Sequence, residues 1–533
     1  MPTGISSPAL PTPAAPMIRP IVFFGGFASI GLELATSRLV APYFGSSTFI
    51  WATLIGVTLT FLSLGYAVGG RLADRYPSPP LLYCLTATAA TFGALIPTFA
   101  RPILGASLAA FDQLAIGAFY GALLAVLLLL AIPVTLLGFV TPFAIRLRLA
   151  DLRHAGNTAG GIYALSTVGS IAGSFVPVLI LIPLAGTART FLLLSLALLI
   201  PSIIGLLLAR AWPLAVAALV VGGALPFIVA SANGAAIRPP EFGQLIHERE
   251  SSYNYIQVIQ QGDRRYLALN EGHAIHSIYN PDPADLLTGG PWDYFMIAPL
   301  LVAGASVDTV DNALLIGLAG GTVARQLTVA YGPIPITGVE IDPEVAAVGT
   351  EYFGLAEMPN LEVVVADGRY ALRTSTERFD LIGVDAYRQP YIPFQLTTRE
   401  FFQEMADHLT PNGVAVVNAG RTATDFRLVD TLASTMRAVY ASVYIIDVGD
   451  VGGSIGNSLV IGTNAPSSIE DLERNLSRFA PDSPLATVGR RAAESGNARA
   501  VATSGTVFTD DHAPVERVVD QIIVDAALAG EDQ

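Results

Sequence analysis

The stretch that decides the fold of the C-terminal half is Ala-Leu-Leu-Ile-Gly-Leu-Ala-Gly-Gly-Thr, residues 313–322. Its apolar start is typical of a buried strand, and a helical pattern over residues 323–330 follows the glycines. Glycines at such a junction let backbone N–H groups and a helix N-terminus approach a ligand closely. Gly317 and Gly321 are therefore predicted to contact a bound nucleotide.

The pattern around this stretch repeats strand and helix. Further apolar runs resemble strands, and a second helical pattern covers residues 343–353. This alternation predicts a parallel, doubly wound α/β Rossmann-like sheet. Two later strands are expected to form the antiparallel edge of a methyltransferase-type sheet. The predicted parallel strands are 313–318, 336–341, 361–366, 381–384 and 414–418, and the predicted edge strands are 443–448 and 458–462.

Acidic residues follow three of these strands. Glu340 ends the second strand about 20 residues after the glycines, where a carboxylate can accept both ribose hydroxyls. Asp367, followed by Gly368, ends the third strand and can accept a hydrogen bond from an adenine amino group. Asp385 ends the fourth strand, where it can deprotonate an amine or serve only as a turn residue. Asp342 fits a helix-capping role better than Glu340 does.

Two more regions flank the predicted Rossmann domain, which we assign to residues 301–533 with a C-terminal tail. Residues 237–300 are predicted to form a small β-domain, with antiparallel strands over 244–279 and a hairpin turn at Gln261-Gly262-Asp263. Near the C-terminus, Asp510, Asp511 and His512 stand together. These acids either fold over the cleft as substrate contacts or cap the helix that follows Pro514.

The N-terminal half is expected to be a membrane helical bundle in the lipid bilayer. The chain is 52% apolar and 14% charged, and the first 236 residues hold ten Arg against four acidic residues. Residues 1–19 are predicted to be disordered and residues 20–236 to contain seven or eight spans. Glu33 is either an intramembrane functional site or part of an ion pair with Arg38 or Arg71. Seven spans are placed at residues 20–38, 49–70, 81–100, 115–140, 160–184, 190–208 and 212–230.

The loop arginines favour a cytoplasmic N-terminus in a plasma-membrane protein. Seven spans would then place the C-terminal domain outside the cell, away from nucleotides made in the cytosol. We give the nucleotide site more weight, and predict a cytoplasmic C-terminal domain. One crossing, re-entrant segment or interfacial helix is then miscounted, and we expect it near Asp112.

Composition excludes several classes of site. All 29 basic residues are Arg, so neither a phosphate-binding P-loop lysine nor Schiff-base chemistry is available. Cys84 is the single cysteine, and His273 and His276 lack further ligands, so no metal site is expected. The acidic C-terminal half argues against nucleic acid and suits a small cationic substrate.

Seven motifs occur in an order that resembles the spermidine synthase (polyamine aminopropyltransferase) family, in particular its membrane-fused branch. The resemblance covers roughly residues 245–465, and GRLADR at residues 70–75 is similar to loops of that branch and of major-facilitator transporters. It implies decarboxylated S-adenosylmethionine, or S-adenosylmethionine, as co-substrate, with no tightly bound cofactor. It also implies an amine acceptor, with a homodimer as one assembly. The motifs are ESSYNYI from Glu250, LALN from Leu267, the glycine loop, VEIDPEV from Val339, ADG from Ala366, VDAY from Val384 and LTTREFF from Leu396.

By this resemblance, Asp385 matches the catalytic acid, Glu340 binds the ribose, Asp367 binds the adenine and Asn254 replaces a nucleotide-contacting glutamine. Tyr387 is a tentative substrate contact. Three departures affect the amine side: Gly320 replaces a polyamine-binding acid, a second acid is replaced near Arg388, and Asp293-Tyr294-Phe295 replaces a Tyr-His-Glu stretch. Putrescine is therefore a doubtful acceptor.

Three functions remain open. The first is a membrane-anchored aminopropyl transfer to an amine. The second is a transporter or sensor that binds nucleotide or polyamine without turnover, and the third is methyl transfer from S-adenosylmethionine.

Overall fold

The computed structural model describes residues 15–44, 48–111, 117–149, 154–226, 228, 238–270, 275–282, 285–387, 391–448, 455–494, 497–502 and 505–529. The chain divides into two compact units, Met1–Pro239 and Pro240–Gln533. Asp112, His273 and Arg388, which entered the sequence predictions, lie outside the described residues.

The first unit is helical. Helix α1 begins at Ile18, two residues before the predicted span, because Pro20 falls in the first turn, where a helix does not need its N–H group. Helix α6 continues through a π-helical turn, Pro177–Leu181, into Ile182–Ala185, and α8 continues as the π-helical segment Ala218–Ala224. After the 3₁₀ turn Ala15–Met17, the helices are α1 Ile18–Phe44, α2 Thr48–Arg75, α3 Pro79–Phe111, α4 Gly117–Gly138, α5 Val140–Arg148, α6 Ala155–Val176, α7 Thr187–Leu208 and α8 Trp212–Ala217.

Six stretches of helix in the described part of the chain are long and apolar enough to cross a membrane. The predicted count of seven or eight spans stays a prediction, because parts of residues 20–236 lie outside the described residues. Within the last predicted span, residues 212–230, the apolar helix of the described residues includes Trp212–Ala224. The six stretches are Ile18–Phe44, Ile50–Arg75, Pro79–Ser107, Tyr120–Arg148, Ala155–Ala185 and Thr187–Leu208.

Glycines let these helices approach each other closely. A Cβ atom at Gly169 would collide with the carbonyl oxygen of Phe23, and one at Gly173 with that of Phe27, so α6 lies directly against the backbone of α1. Gly65 has the same relation to the carbonyl oxygen of Thr135 on α4. Close approach of helices at small residues is common in membrane bundles.

The second unit begins with a four-stranded antiparallel sheet in the order β1-β2-β3-β4. Apolar residues of β2 and β3, including Val258 and Leu267, pack against Val345, Val348 and Phe353 next to the larger sheet. The hairpin turn predicted at Gly262 joins β2 to β3. The strands are β1 Gln244–Glu250, β2 Tyr255–Gln261, β3 Arg264–Leu269 and β4 Ile275–Tyr279.

An eight-stranded mixed sheet follows, in the order β12-β10-β11-β9-β8-β5-β6-β7. Strands β5 to β9 are paired in parallel, whereas β10, β11 and β12 form an antiparallel edge. This confirms the predicted Rossmann-like, methyltransferase-type sheet and adds β12. The strands are β5 Ala313–Ile316, β6 Ile336–Glu340, β7 Leu361–Val365, β8 Phe379–Val384, β9 Leu409–Thr422, β10 Ser442–Asp447, β11 Ile455–Thr463 and β12 Ala498–Ala500.

Helices cover both faces of this sheet. Leu315 and Val416 point into one core, while Ile316 and Val417 point into the other, so the central strands are apolar without alternation. The helices are α9 Thr322–Tyr331, α10 Pro343–Tyr352, α11 Gly368–Thr374, α12 Arg399–His408, α13 Arg427–Arg437, α14 Ile469–Leu476, α15 Pro484–Ala493 and α16 Val515–Ala529. The 3₁₀ segments are Pro291–Leu301, Val307–Thr309, Leu355–Glu357 and Phe394–Leu396.

Candidate functional site

The loop between β5 and α9 forms the centre of the candidate site. Gly317 has φ +91°, and a Cβ atom there would collide with the carbonyl oxygen of Asp385, so only glycine fits. Gly321 also has positive φ and stands at the N-terminus of α9. The loop therefore lies directly beside the end of β8 and presents a helix N-terminus at the carboxyl edge of the sheet.

Glu340 ends β6 beneath this loop. Its Oε2 accepts the backbone N–H of Ala319 at 3.0 Å, and its Oε1 accepts that of Asp342 at 3.1 Å. Burial raises the pKa of the Glu340 carboxyl, and these backbone hydrogen bonds oppose the shift. The carboxylate is held in place by the glycine loop, and each oxygen keeps a lone pair for a further donor such as a ribose hydroxyl.

Asp342 connects the two sheets. Its carboxylate is fully buried, caps α10 through the N–H of Glu344, and accepts hydrogen bonds from Ser251 Oγ and Asn254 Nδ2. The side-chain oxygen of Asn254 accepts from Asn270 at 2.9 Å. The Asn254 amide is thus bonded at both ends to protein, close to Glu340, and its predicted contact with a nucleotide stays a prediction.

Asp367 and Gly368 follow β7. Asp367 Oδ1 accepts the N–H of Tyr370 and caps α11, whereas its Oδ2 accepts no hydrogen bond from the described residues. A Cβ atom at Gly368 would collide with the side chain of Ile316. Asp367 therefore has both a structural role and an oxygen free for a ligand.

Asp385 ends β8 with both carboxylate oxygens engaged. Trp292 Nε1 donates to Oδ2 and Asn418 Nδ2 donates to Oδ1, each at 2.8 Å. Burial raises the pKa of the Asp385 carboxyl, and the two neutral donors oppose the shift. A fixed carboxylate with a raised pKa is suited to accept a proton from a bound substrate.

Comparison with known proteins identifies the family to which the second unit is similar. The family model described as Spermine/spermidine synthase domain matches residues 300–464. A Vibrio vulnificus protein named "Polyamine aminopropyltransferase" is 30% identical over 225 residues, covering 41% of this chain and 73% of that protein. The chain belongs to the spermine/spermidine synthase family.

Two further known proteins are similar to part of this chain. A Bifidobacterium longum protein named "Probable polyamine aminopropyl transferase" is 34% identical over 312 residues; the match covers 53% of this chain and 65% of that protein, just under two thirds. The structure of a probable spermidine synthase from Corynebacterium glutamicum aligns at 21% identity with a TM-score of 0.39, covering 48% of this chain and 90% of that one.

The candidate site includes residues that sequence reasoning missed. Trp292 lies in a 3₁₀ segment without a periodic pattern, so nothing in the sequence marked it. Asn418 could have been found, because it is polar and lies towards the carboxyl end of a predicted parallel strand. Its Oδ1 accepts from Asn457 Nδ2 at 3.0 Å, and its backbone carbonyl accepts the hydroxyl of Tyr387. Tyr387 thus supports Asn418, and its contact with substrate stays a prediction.

Packing and burial explain two of the departures from the family motifs. A Cβ atom at Gly320 would lie 2.8 Å from both the Phe353 ring and Ser277 Cβ, so the loop has no room for a side chain there. Asp293 is fully buried and accepts hydrogen bonds from Thr288, Gly289 and Gln326, while Tyr294 and Phe295 belong to the core. In the described part of the chain, no group of three or more metal-ligating side chains occurs.

The acidic pair near the C-terminus occupies a tight turn between Thr509 and His512. Asp510 binds both terminal nitrogens of Arg369, at 2.7 and 2.8 Å, and accepts from Thr398. Arg369, only 7% exposed, also binds Glu404. Asp511 is exposed. The Asp510 carboxylate is therefore already matched by a cation, and the predicted substrate contact of both acids stays a prediction.

We predict that Asp510→Asn loosens the turn at residues 508–515. The Arg369 ion pair lowers the pKa of Asp510, so its stabilising effect is present above about pH 4 and is lost as pH falls below its folded pKa. At neutral pH, amide hydrogen exchange of this segment should accelerate about 10- to 100-fold, corresponding to roughly 1.5–3 kcal/mol. Asp511→Asn is the matched control; equal exchange in both variants would contradict the structural role of Asp510.

Proposed function

We propose that this chain is a membrane-bound aminopropyltransferase that moves an aminopropyl group from decarboxylated S-adenosylmethionine to an amine. The observation that supports it best is the carboxylate of Asp385, which Trp292 and Asn418 hold in place while the backbone carbonyl of the same residue lies against Gly317 of the glycine loop. A proton acceptor is thereby held next to the proposed nucleotide site. The names of the family relatives support the same reaction class.

The nucleotide would lie along the carboxyl edge of β5, β6 and β7. In this proposal Glu340 accepts the ribose hydroxyls, Asp367 Oδ2 accepts from the adenine amino group, and Gly317 and Gly321 let the backbone approach the ligand. Asn254 supports this arrangement through Asp342, whose N–H donates to Glu340. The nucleotide is a co-substrate and leaves after each turnover.

The chemical step is an in-line displacement. The amine nitrogen attacks the propyl carbon bonded to the sulfonium, the carbon–sulfur bond breaks with its electron pair going to sulfur, and methylthioadenosine leaves. Asp385 accepts the proton that the nitrogen loses. The donors Trp292 and Asn418 keep the carboxylate oriented towards the amine, and its raised pKa improves it as a base.

The experiment that tests the proposal is incubation of the full chain, in detergent micelles, with each adenosyl donor and a panel of amines. Methylthioadenosine formed only with decarboxylated donor and amine is expected. S-adenosylhomocysteine would instead establish methyl transfer, and tight nucleotide binding without either product would establish a binding protein.

Nucleotide binding should depend on two carboxylates. We expect Glu340→Ala and Asp367→Ser each to weaken methylthioadenosine binding about 10- to 100-fold, or roughly 1.5–3 kcal/mol, because ligand donors lose charged acceptors. Serine keeps the cap of α11, so the second variant separates ligand binding from helix stability. Calorimetry would measure both, with the exposed Glu362→Ala as control. Parent-like affinity in both variants would refute the site.

Turnover should depend on unprotonated Asp385. Asp385→Asn is expected to lower the single-turnover rate by about two orders of magnitude or more while binding survives. In the parent, the rate falls as pH drops through the raised pKa of Asp385. Trp292→Phe removes a hydrogen-bond donor to the ionised Asp385 carboxylate and so should raise its pKa further. The acid limb of the pH–rate profile should therefore move to higher pH. Trp212→Phe, on α8, is the control and should leave the profile unchanged.

We also propose that the chain lies in the plasma membrane with its C-terminal unit in the cytoplasm. Six crossings would return the chain to the side of its N-terminus, and the loop arginines favour a cytoplasmic N-terminus. This count removes the conflict that seven spans created. A reporter fused after Gln533 should be active only on the cytoplasmic side; activity on the outer face would exclude an enzyme supplied from the cytosol.

A further inference from the structure

The described side chains that bind the Asp385 carboxylate are polar but electrically neutral. Its two oxygens accept from an indole and an amide, and that amide accepts in turn from Asn457. Among the described residues, no charged side chain forms a salt bridge or hydrogen bond with Asp385. An amine bound there meets one negative charge.

The glycine loop adds no second anion. Position 320 points towards Ser277 and Phe353, each 2.8 Å from where a Cβ would stand, and the N–H of Gly320 donates to Ser277 Oγ. A carboxylate at this position would require the small sheet to move away. The loop is therefore closed to acidic side chains by packing.

Four other acids of this unit already have partners within the protein. Glu340 accepts two backbone amides, Asp342 is fully buried, and Asp510 is paired with Arg369. Asp293 is also fully buried, with several donors around it. A second ammonium group on the acceptor would thus lose water without gaining a carboxylate among these residues, which is costly.

Asn457 offers a different kind of contact. It lies on β11 opposite Gly420 of β9, and because glycine has no side chain, none faces Asn457 from that residue of β9. Its Nδ2 donates to Asn418, while its Oδ1 forms no hydrogen bond within the described part of the chain. The group is half-buried. It can accept a hydrogen bond from a hydroxyl or an amide N–H of a substrate.

We infer that the acceptor has one basic nitrogen, bound at Asp385, and an uncharged hydrogen-bond donor, bound at Asn457, as in an amino alcohol. This substrate class rests on the proposed aminopropyl transfer. The nitrogen attacks as above, its proton goes to Asp385, and the uncharged end of the acceptor remains unchanged.

Two acceptors of equal length test the inference. 4-Amino-1-butanol and 1,4-diaminobutane differ only in a terminal hydroxyl or ammonium group. With the full chain in detergent and decarboxylated donor, kcat/KM for methylthioadenosine release should be at least tenfold higher with the amino alcohol. n-Butylamine, which lacks the terminal hydrogen-bond donor, should give a lower kcat/KM than the amino alcohol.

A charge variant makes the test specific. Asn457→Asp places a carboxylate beside the amide of Asn418 and should shift the ratio of the two kcat/KM values at least tenfold towards 1,4-diaminobutane. Asn312→Asp, before β5 at the opposite edge of the sheet, should leave the ratio unchanged.

The outcomes separate the two proposals. Equal or better use of 1,4-diaminobutane by the parent would overturn the inference while supporting aminopropyl transfer. An unshifted ratio in Asn457→Asp would overturn the role of Asn457. Absence of methylthioadenosine with every amine, in a protein that still binds the nucleotide, would overturn both proposals.

Discussion

The contact between Gly317 and the carbonyl oxygen of Asp385 is the constraint on which the candidate site depends. It brings the turn after β5 against the turn after β8, and a single added methyl group would separate them. Because both strands are parallel and adjacent, the contact places the glycine loop and the acidic side chain at one edge of the sheet. The proposed nucleotide and acceptor sites therefore share a boundary.

Buried polar networks hold the remaining groups around this contact. Asp342 ties Ser251 and Asn254 of the small sheet to the turn that holds Glu340, while Asp385 joins Trp292 to Asn418. Each network pairs a carboxylate with neutral donors. Such pairing orients the carboxylates and offsets the free-energy cost of burying a charge without a partner.

Charge distinguishes the two parts of the site. On the nucleotide side, Glu340 and Asp367 stand where hydroxyl and amino donors are expected. On the acceptor side, Asp385 is surrounded by an indole and amides, and Gly320 is packed too closely for a side chain. The family fold is thus retained, whereas the groups that would select the acceptor differ from the family motifs.

The sequence by itself determined the order of elements, the parallel sheet with its antiparallel edge, and the acids at the strand ends. That information is present in the strand periodicity, the glycines and the chain order, because these features depend on residues close together in the sequence. Only the tertiary structure decided that Trp292 and Asn457 join the Asp385 network and that Arg369 binds Asp510, because these partners are far apart in the chain and meet only through folding.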